Sequence, residues 1–290
     1  MSNISIMCNG DNHHYELQVD FTKFSDGAET CTIRKPNVDL TKSNFVVVTI
    51  NFQDVTRDIV RLLLVKDALD QMRAENCINW ERISLNMPYI PNARADRKFG
   101  FGMPMPMKVF ANLINDLEFD EVMVEDPHSD VSVALINNAT VLDQSALVSI
   151  MEHHIERYMP DFTLCAPDLG AAKKIFDVAF ALDKRDWIQG LKIRDVLTGD
   201  IVKCDLVQDE VPENVLIVDD ISDGGASFKF LAKKLKERGA KKVGLYVTHG
   251  IFSKGLDPIR EDIDYVFVHN FIGGYINAAN VLAFNEGKDQ

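Results

Sequence analysis

Apolar and polar positions alternate along the chain in two rhythms. Short apolar runs read as strands: FVVVTI at 45–50, RISLNMPYI at 82–90 and EVMVED at 121–126. Between them a 3.6-residue spacing predicts helices over 57–72, RDIVRLLLVKDALDQM, and 107–117, MKVFANLINDL. The second half repeats the scheme. DFTLCAPD (161–168), VLIVDD (215–220), KVGLYVTHG (242–250) and YVFVHN (265–270) read as strands, with helices over 170–181 and from about 227 to 238. Such alternation implies an α/β fold, parallel sheets with helices on both faces. The pattern breaks at NNATVLDQS, which sets a boundary near 138–148 and two successive α/β units, 1–142 and 143–290. The stretch 183–205, DKRDWIQGLKIRDVLTGDIVKCD, is polar and weakly periodic and reads as a long loop with hairpin character. Long loops in compact domains often serve as lids.

Composition narrows the class. The 290 residues are 46% hydrophobic and 26% charged, a globular mix with room for two cores. Lys plus Arg total 31 against 44 for Asp plus Glu, a net charge of -13 with no basic cluster, which argues against a nucleic-acid binder. An acidic protein that handles anionic nucleotides needs local cations or a divalent metal, and Mg²⁺ is the expected ion. Cys8, Cys31, Cys77, Cys165 and Cys204 form no CxxC pair and lie in mostly apolar stretches, as reduced buried thiols do. A cytoplasmic location is therefore expected. The N-terminus, MSNISIMCNG, has no basic region or long apolar run, so neither secretion nor membrane insertion is expected.

The segment richest in chemistry is VLIVDDISDGGAS, 215–227. An apolar strand ends in paired acids, Asp219 and Asp220, then runs through small residues into a helix. That order offers successive backbone N–H groups and a positive helix terminus to an anion, and glycines let a phosphate approach closely. The acids would repel that phosphate unless they hold Mg²⁺ or hydrogen-bond sugar hydroxyls. The same residues also suit a buried strand followed by a helix capped by Asp223 or Ser227.

With its two acids and small-residue loop, this segment resembles the PRPP-binding signature of phosphoribosyltransferases and PRPP synthetases. The resemblance implies that Asp219 and Asp220 face ribose hydroxyls while Asp223, Gly224, Gly225, Ala226 and Ser227 wrap a 5-phosphate. PYIPNARADRKFGFGMPMPMKVFANLI, 88–114, resembles the Pro-Tyr segment and Arg-x-Asp-Arg block of the ribose-phosphate pyrophosphokinases, which puts Arg94, Asp96 and Arg97 at the ATP phosphates. Taken alone, 94–98 reads as a solvated loop. VMVEDPHSD, 122–130, resembles that family's Asp-Leu-His motif, with Pro127 in the middle position, and implies His128 as an ATP-side metal ligand supported by Asp126. CAPDLGAAKKI, 165–175, resembles its Pro-Asp-x-Gly segment and implies Asp168 near metal and ribose. DKR at 183–185 resembles the start of its catalytic flexible loop and implies Lys184, with Arg185, as the cation stabilising the transferred group. FSDGAE, 24–29, resembles its adenine-side motif and implies Phe24 and Asp26 in ATP binding; THGIFSKG, 248–255, resembles its turn after a strand. The segments run in family order from about residue 20 to 270.

The resemblance implies two tandem phosphoribosyltransferase-like domains, the first on the ATP side and the second holding the ribose phosphate. It also implies Mg²⁺, a homo-oligomer, and pyrophosphoryl transfer from ATP to ribose 5-phosphate. Departures qualify these expectations. Residues before Phe24 look too short for a first strand-helix unit, and little follows 265–270 where a terminal helix is expected. Ala28 holds the register of an adenine-side Glu, Ala95 replaces a Gln, and Asp186 and Trp187 stand where basic and proline residues are usual. In the phosphate loop Gly224 stands for Thr and Ala226 for Gly. A missing hydroxyl removes a donor to a phosphomonoester, and Gly224 leaves room, so ADP-ribose is an alternative acceptor. A phosphoribosyltransferase consuming PRPP and a catalytically inactive regulatory relative are the competing readings.

Overall fold

The computed structural model describes residues 3–10, 13–37, 39–75, 78, 80–98, 100–194, 201–272 and 281–283. The chain divides into two compact units, Met1–Leu142 and Asp143–Gln290.

The first unit opens with two antiparallel strands, β1 (Ile4–Gly10) and β2 (His13–Leu17), then the hairpin of β3 (Val19–Lys23) and β4 (Glu29–Ile33). There follow β5 (Phe45–Ile50), α1 (Val55–Glu75), β6 (Arg82–Asn86), α2 (Pro106–Asn115), β7 (Glu121–Glu125), α3 (Asp130–Leu135) and β8 (Ala139–Leu142). One sheet takes the order β2-β1-β5-β6-β7-β8; β5 to β8 run parallel and β1 runs against both its neighbours. Val46, Val48 and Ile50 alternate with more exposed residues along β5, and their side chains share a core with Leu62, Val65 and Leu69 of α1. That i, i+3, i+7 spacing is the buried stripe of an amphipathic helix. On α2, Pro106 sits in the first turn where its missing N–H has no partner to lose, and Met107, Phe110, Ala111 and Ile114 are buried.

The second unit comprises α4 (Gln144–Tyr158), β9 (Thr163–Ala166), α5 (Ala172–Ala181), β10 (Trp187–Arg194), β11 (Ile201–Leu206), β12 (Asn214–Ser222), α6 (Ala226–Glu237), β13 (Lys242–Gly250), β14 (Tyr265–Phe271) and β15 (Val281–Ala283). Its sheet has the order β11-β10-β9-β12-β13-β14-β15, with β9, β10, β12, β13 and β14 mutually parallel and β11 and β15 antiparallel to their neighbours. Val215, Ile217, Val243 and Leu245 pack with Leu231 and Leu235 of α6 on one face. Leu164, Leu216, Val218 and Tyr246 pack with Ile155 of α4 and Ile175 of α5 on the other. Strands covered on both faces read as unbroken apolar runs, which explains VLIV and VGLYV.

The structure departs from the pattern-based expectations in specific places. The hairpin character expected over 183–205 is present in the antiparallel pair of β10 and β11, but β10 also joins the sheet beside β9 and so is not loop. NNATVLDQS contains β8, and the helix after it, α4, lies in a stretch where no element is expected from the pattern. The N-terminus supplies two strands of the first sheet.

Candidate functional site

In the second sheet β9 lies between β10 and β12: the connection through α5 runs from β9 to β10 on one side, and the one through β11 returns from β10 past β9 to β12 on the other. Ligands of open α/β sheets bind in the crevice such a reversal creates at the strands' carboxyl ends. Asp168 stands two residues past β9 and caps the short turn Leu169–Ala171, its Oδ1 accepting from the N–H of Gly170 at 3.0 Å and of Ala171 at 3.2 Å. Counting on from the Ile217–Cys165 pair, Asp220 of β12 stands level with Asp168. Asp220 is buried, with Lys174 Nζ 3.4 Å from its Oδ2. Asp219 Oδ1 accepts the N–H of Asp220 at 3.0 Å.

Beyond β12 the chain passes Asp223 and Gly224 and enters α6 at Gly225. Gly225 has φ 74°, and a Cβ there would lie 2.6 Å from Cγ2 of Ile259, so conformation and space both demand glycine. Ala226 and Ser227 form the first turn of α6, whose leading N–H groups have no partner inside the helix. A second turn supports the loop. The N–H groups of Ile251 and Phe252 donate to the Ser222 carbonyl at 2.8 and 3.3 Å, and the Ser253 hydroxyl donates to the Asp223 carboxylate. Asp168, Asp219, Asp220, Asp223, Gly224, Gly225, Ala226 and Ser227 thus share one edge of one sheet.

Lys184 and Arg185 do not belong to that edge. Counting back from the Trp187–Leu164 pair, Lys184 stands level with Asp161, before the start of β9. Its Nζ lies 3.8 Å from the Phe162 ring centroid and 3.6 Å from Glu156 Oε1. The resemblance gives Lys184, with Arg185, the neutralisation of transferred charge, and this geometry sets them apart from the acids. The sheet's parallel order puts both at the amino end, opposite the acids. Gly190 passes so near the end of β9 that a Cβ would lie 2.6 Å from the Pro167 carbonyl oxygen. Residues 191–194 therefore run out past the carboxyl edge, carrying the backbone of Lys192 and Arg194 with them.

In the first unit, loops after β6 and β7 meet at the carboxyl edge. The Met87 N–H donates to the Met123 carbonyl at 2.9 Å and the Glu125 N–H to the Pro88 carbonyl at 3.0 Å, which holds the root of the 87–105 loop against β7. Ile90 and Ala93 are buried beneath it, and the Met107 N–H ties it to α2 through the Ala95 carbonyl at 3.3 Å. Anchored this way, the loop presents Arg94 and Arg97 as exposed side chains, with Asp96 3.6 Å from the Arg97 Nε. After β7 the chain turns at Asp126, φ 37°, which is buried and donates its N–H to the Leu142 carbonyl at 2.9 Å. His128 follows as an exposed residue just before Ser129, the N-cap of α3. Arg94, Asp96, Arg97 and His128 are thus on adjacent loops. Phe24 and Asp26 lie elsewhere, at the tip of the β3–β4 hairpin. There Phe24 is 52% exposed, and Asp26 Oδ1 accepts the Ala28 N–H at 3.0 Å. That hairpin is fastened to α1 by Glu29, which accepts from Arg61 at 2.6 Å while the guanidinium covers the Phe21 ring at 4.5 Å.

Comparison with known proteins decides the family. The ribose-phosphate pyrophosphokinase of Mycoplasmopsis pulmonis is 32% identical over 260 residues, 89% of this chain and 77% of that protein. The chain belongs to the ribose-phosphate pyrophosphokinase family. The ribose-phosphate pyrophosphokinase of Thermococcus kodakarensis is 27% identical over 267 residues, 92% of this chain and 90% of that one. Crystalline phosphoribosylpyrophosphate synthetase from Mycobacterium smegmatis superposes with a TM-score of 0.69 at 19% identity, over 87% of this chain and 80% of that one. That likeness carries the fold, two phosphoribosyltransferase-like α/β units. No family model matches the chain.

As a ribose-phosphate pyrophosphokinase family member the chain is one of a family of diphosphokinase enzymes. Its donor set bears on the metal such chemistry needs. Among the described residues no three His, Cys, Asp or Glu side chains converge into a metal-holding group. Asp168 is spent in part on its own turn, and Asp220 on Lys174. Isolated carboxylates suit Mg²⁺, which keeps several waters and is held by one or two carboxylates together with substrate phosphates. The residues fit an ion that arrives with nucleotide and do not fit a resident cage. The strand β10 is what reading DKR as a motif concealed. The available signal was the alternation W-I-Q-G-L-K-I-R, which is strand periodicity.

Proposed function

We propose that this chain transfers the β,γ-pyrophosphoryl group of ATP to the anomeric hydroxyl of a ribose 5-phosphate unit and releases AMP. The observation that carries the reading is the second sheet's edge, where Asp168, the Asp219–Asp220 pair and a glycine-dependent loop before α6 stand together at a topological switch point. In this reading the N–H groups of the loop and of the first turn of α6 take the 5-phosphate, as helix N-termini take anions. Asp219 and Asp220 accept from the ribose hydroxyls and fix the face on which the anomeric oxygen lies. Arg94 and Arg97 hold the ATP phosphates, planar donors against planar oxyanions, with Asp96 orienting Arg97. Phe24 offers an exposed ring to the base, and Asp26 shapes the turn that presents it.

The anomeric oxygen attacks the β-phosphorus as the bond to the AMP oxygen breaks. Nothing covalent forms on the protein, so catalysis is in-line positioning and charge neutralisation. Mg²⁺, when bound, would offset phosphate charge, and the residues that would hold it are His128 in the first unit and Asp168 in the second. The cationic role lies with Lys192 and Arg194, whose strand leaves the sheet at the edge that carries the acids.

One observation favours an acceptor larger than ribose 5-phosphate. A Cβ at Gly224 would meet only the Lys254 stem, at 3.8 and 3.9 Å, so the loop is open there. ADP-ribose, which presents its 5-phosphate as a diester, suits a loop with space and no hydroxyl at this position. The test measures AMP release from ATP and Mg²⁺ with ribose 5-phosphate and with ADP-ribose, identifying each product by mass. AMP with a pyrophosphorylated acceptor supports the reaction and names the acceptor. Absence of AMP with both sinks it, and a strong preference for ribose 5-phosphate removes the larger acceptor alone.

A further inference from the structure

Beside the phosphate loop lies a cation that the proposed reaction leaves unused. Lys254 belongs to the turn after β13, which closes with the Gly255 N–H donating to the Phe252 carbonyl at 2.8 Å and with Gly255 at φ 69°. The turn is not free to drift. Phe252 is 1% exposed, its N–H and that of Ile251 bond the Ser222 carbonyl, and the Ser253 hydroxyl bonds Asp223. These contacts lock the residue before Lys254 to the residue before Gly224. The Lys254 stem consequently lies over Gly224, with Cδ and Cε 3.8 and 3.9 Å from where a Cβ would stand. The ammonium, one bond further on, is held at the loop's outer face.

Several lysines of this unit are paired: Lys174 with Asp220 at 3.4 Å, Lys229 with Glu261 at 3.6 Å and Lys236 with Asp264 at 3.3 Å. Lys254 forms no ion pair or hydrogen bond with any described residue. An exposed, unpaired ammonium held beside a loop of backbone donors is a point charge with three donors, able to meet a phosphate oxygen from many directions.

We propose that Lys254 is a phosphate-binding residue of the acceptor site, supplying from the β13 turn the side-chain donor that Gly224 lacks. This inference rests on the reading that residues 223–227 take the acceptor's 5-phosphate. The space that Gly224 leaves open is bounded by the lysine stem, which a Cβ there would only touch, so the lysine reaches over the loop at the position that has no side chain.

The test pairs steady-state kinetics with calorimetric binding of ribose 5-phosphate and of ADP-ribose to the full chain. Lys254→Met is expected to raise the acceptor KM and Kd about tenfold, the loss of one charge-assisted hydrogen bond, while kcat falls less than about threefold. Binding to the variant should also depend less steeply on salt than binding to the parent. Lys254→Arg should retain most of the affinity, and Gly224→Ser in the Lys254→Met background should recover part of it. Unchanged KM and Kd in a Lys254→Met protein that melts at the parent's temperature would overturn the proposal. If the parent forms no AMP yet binds an acceptor that Lys254→Met releases, the lysine assignment stands and the pyrophosphoryl reading falls. If the parent binds neither acceptor, both fall.

Discussion

Neighbouring glycines in the loop before α6 have different duties. Gly225 has φ 74° and lies within a clash of Ile259, whereas Gly224 faces open space bounded by a flexible stem. Gly225→Ala should therefore lower stability by about 1–3 kcal/mol, the cost of a left-handed residue plus an overfilled contact, and weaken acceptor binding. Gly224→Ala should leave the melting temperature nearly unchanged. Parallel thermal melts check both, and equal destabilisation would refute the contrast. Asp58 is a second residue whose setting predicts its behaviour. It is fully buried at the start of α1, accepting from the N–H groups of Gln53 and Asp54 at 2.8 and 2.9 Å and from Arg57 at 2.8 Å. Burial pushes its pKa upward, but the Arg57 bond and the two backbone donors together outweigh that and hold it below the ordinary carboxylate value. A depressed folded-state pKa stabilises above the unfolded value and loses that contribution as pH falls through the folded one. Asp58→Asn should cost about 2 kcal/mol at neutral pH, less in acid, by chemical denaturation. A penalty independent of pH would mean the charge is irrelevant. The paired acids after VLIV announce themselves in the sequence because a strand so apolar rarely ends in two carboxylates. Asp58 does not, since an acid near a helix start looks like any other until its burial is seen.

At the scale of elements, unbroken apolar runs were the easiest to read, whether covered chiefly on one face like β5 or on both like β12. FVVVTI and VLIVDD are strands of β5 and β12, and the glycine-rich turn into α6 is legible for the same reason: chemistry and backbone demand coincide there. Elements that carry polar residues through a sheet edge were hidden. β10 has Gln189, Gly190 and Lys192 among its residues and pairs with β9 only from Trp187 to Gln189, so its composition resembles a loop. The β1–β2 pair was hidden by its polar residues, although Ile4, Ile6 and Cys8 alternate with less buried neighbours. β10 is also where the element decides the residue, because the proposed cationic role moves eight positions along the chain, from Lys184 to Lys192. Lys184→Ala should alter kcat less than about twofold and cost roughly 1 kcal/mol of stability, from the ring contact and a partly exposed ion pair. Lys192→Ala should lower kcat by about a hundredfold or more with little change in acceptor affinity, the pattern of a group that acts on developing charge. The reverse ranking in single-turnover measurements would return the role to the start of β10.

At the scale of the molecule, each unit carries a buried thiol that reports on its own core. Cys8 is wholly buried in the first unit's sheet and Cys165 in the second's, while Cys31 and Cys204 are partly exposed. Burial in an apolar setting is what raises both buried thiols: Cys8 is pushed from the ordinary 9.0 up to about 12, and Cys165 is raised as well. A raised folded-state pKa favours the neutral folded form below 9.0 and costs stability as the unfolded thiol ionises above it. For Cys8 alone the loss should run at about 1.4 kcal/mol per pH unit between pH 9 and 12. Pulsed alkylation at pH 8 should modify Cys31 and Cys204 in the native protein and leave Cys8 and Cys165 untouched until their sheets open. Because the two reporters sit in separate cores, the denaturant dependence of each gives the opening free energy of its own unit. Two different midpoints would mean that the acceptor-side unit can hold its phosphate loop while the other opens. One shared midpoint would mean that the units unfold as a single cooperative body. Ribose 5-phosphate should discriminate further by protecting Cys165 more than Cys8, since a ligand stabilises the state that binds it and Cys165 lies on the strand that leads to Asp168. Equal protection of both thiols by ribose 5-phosphate would contradict independent opening.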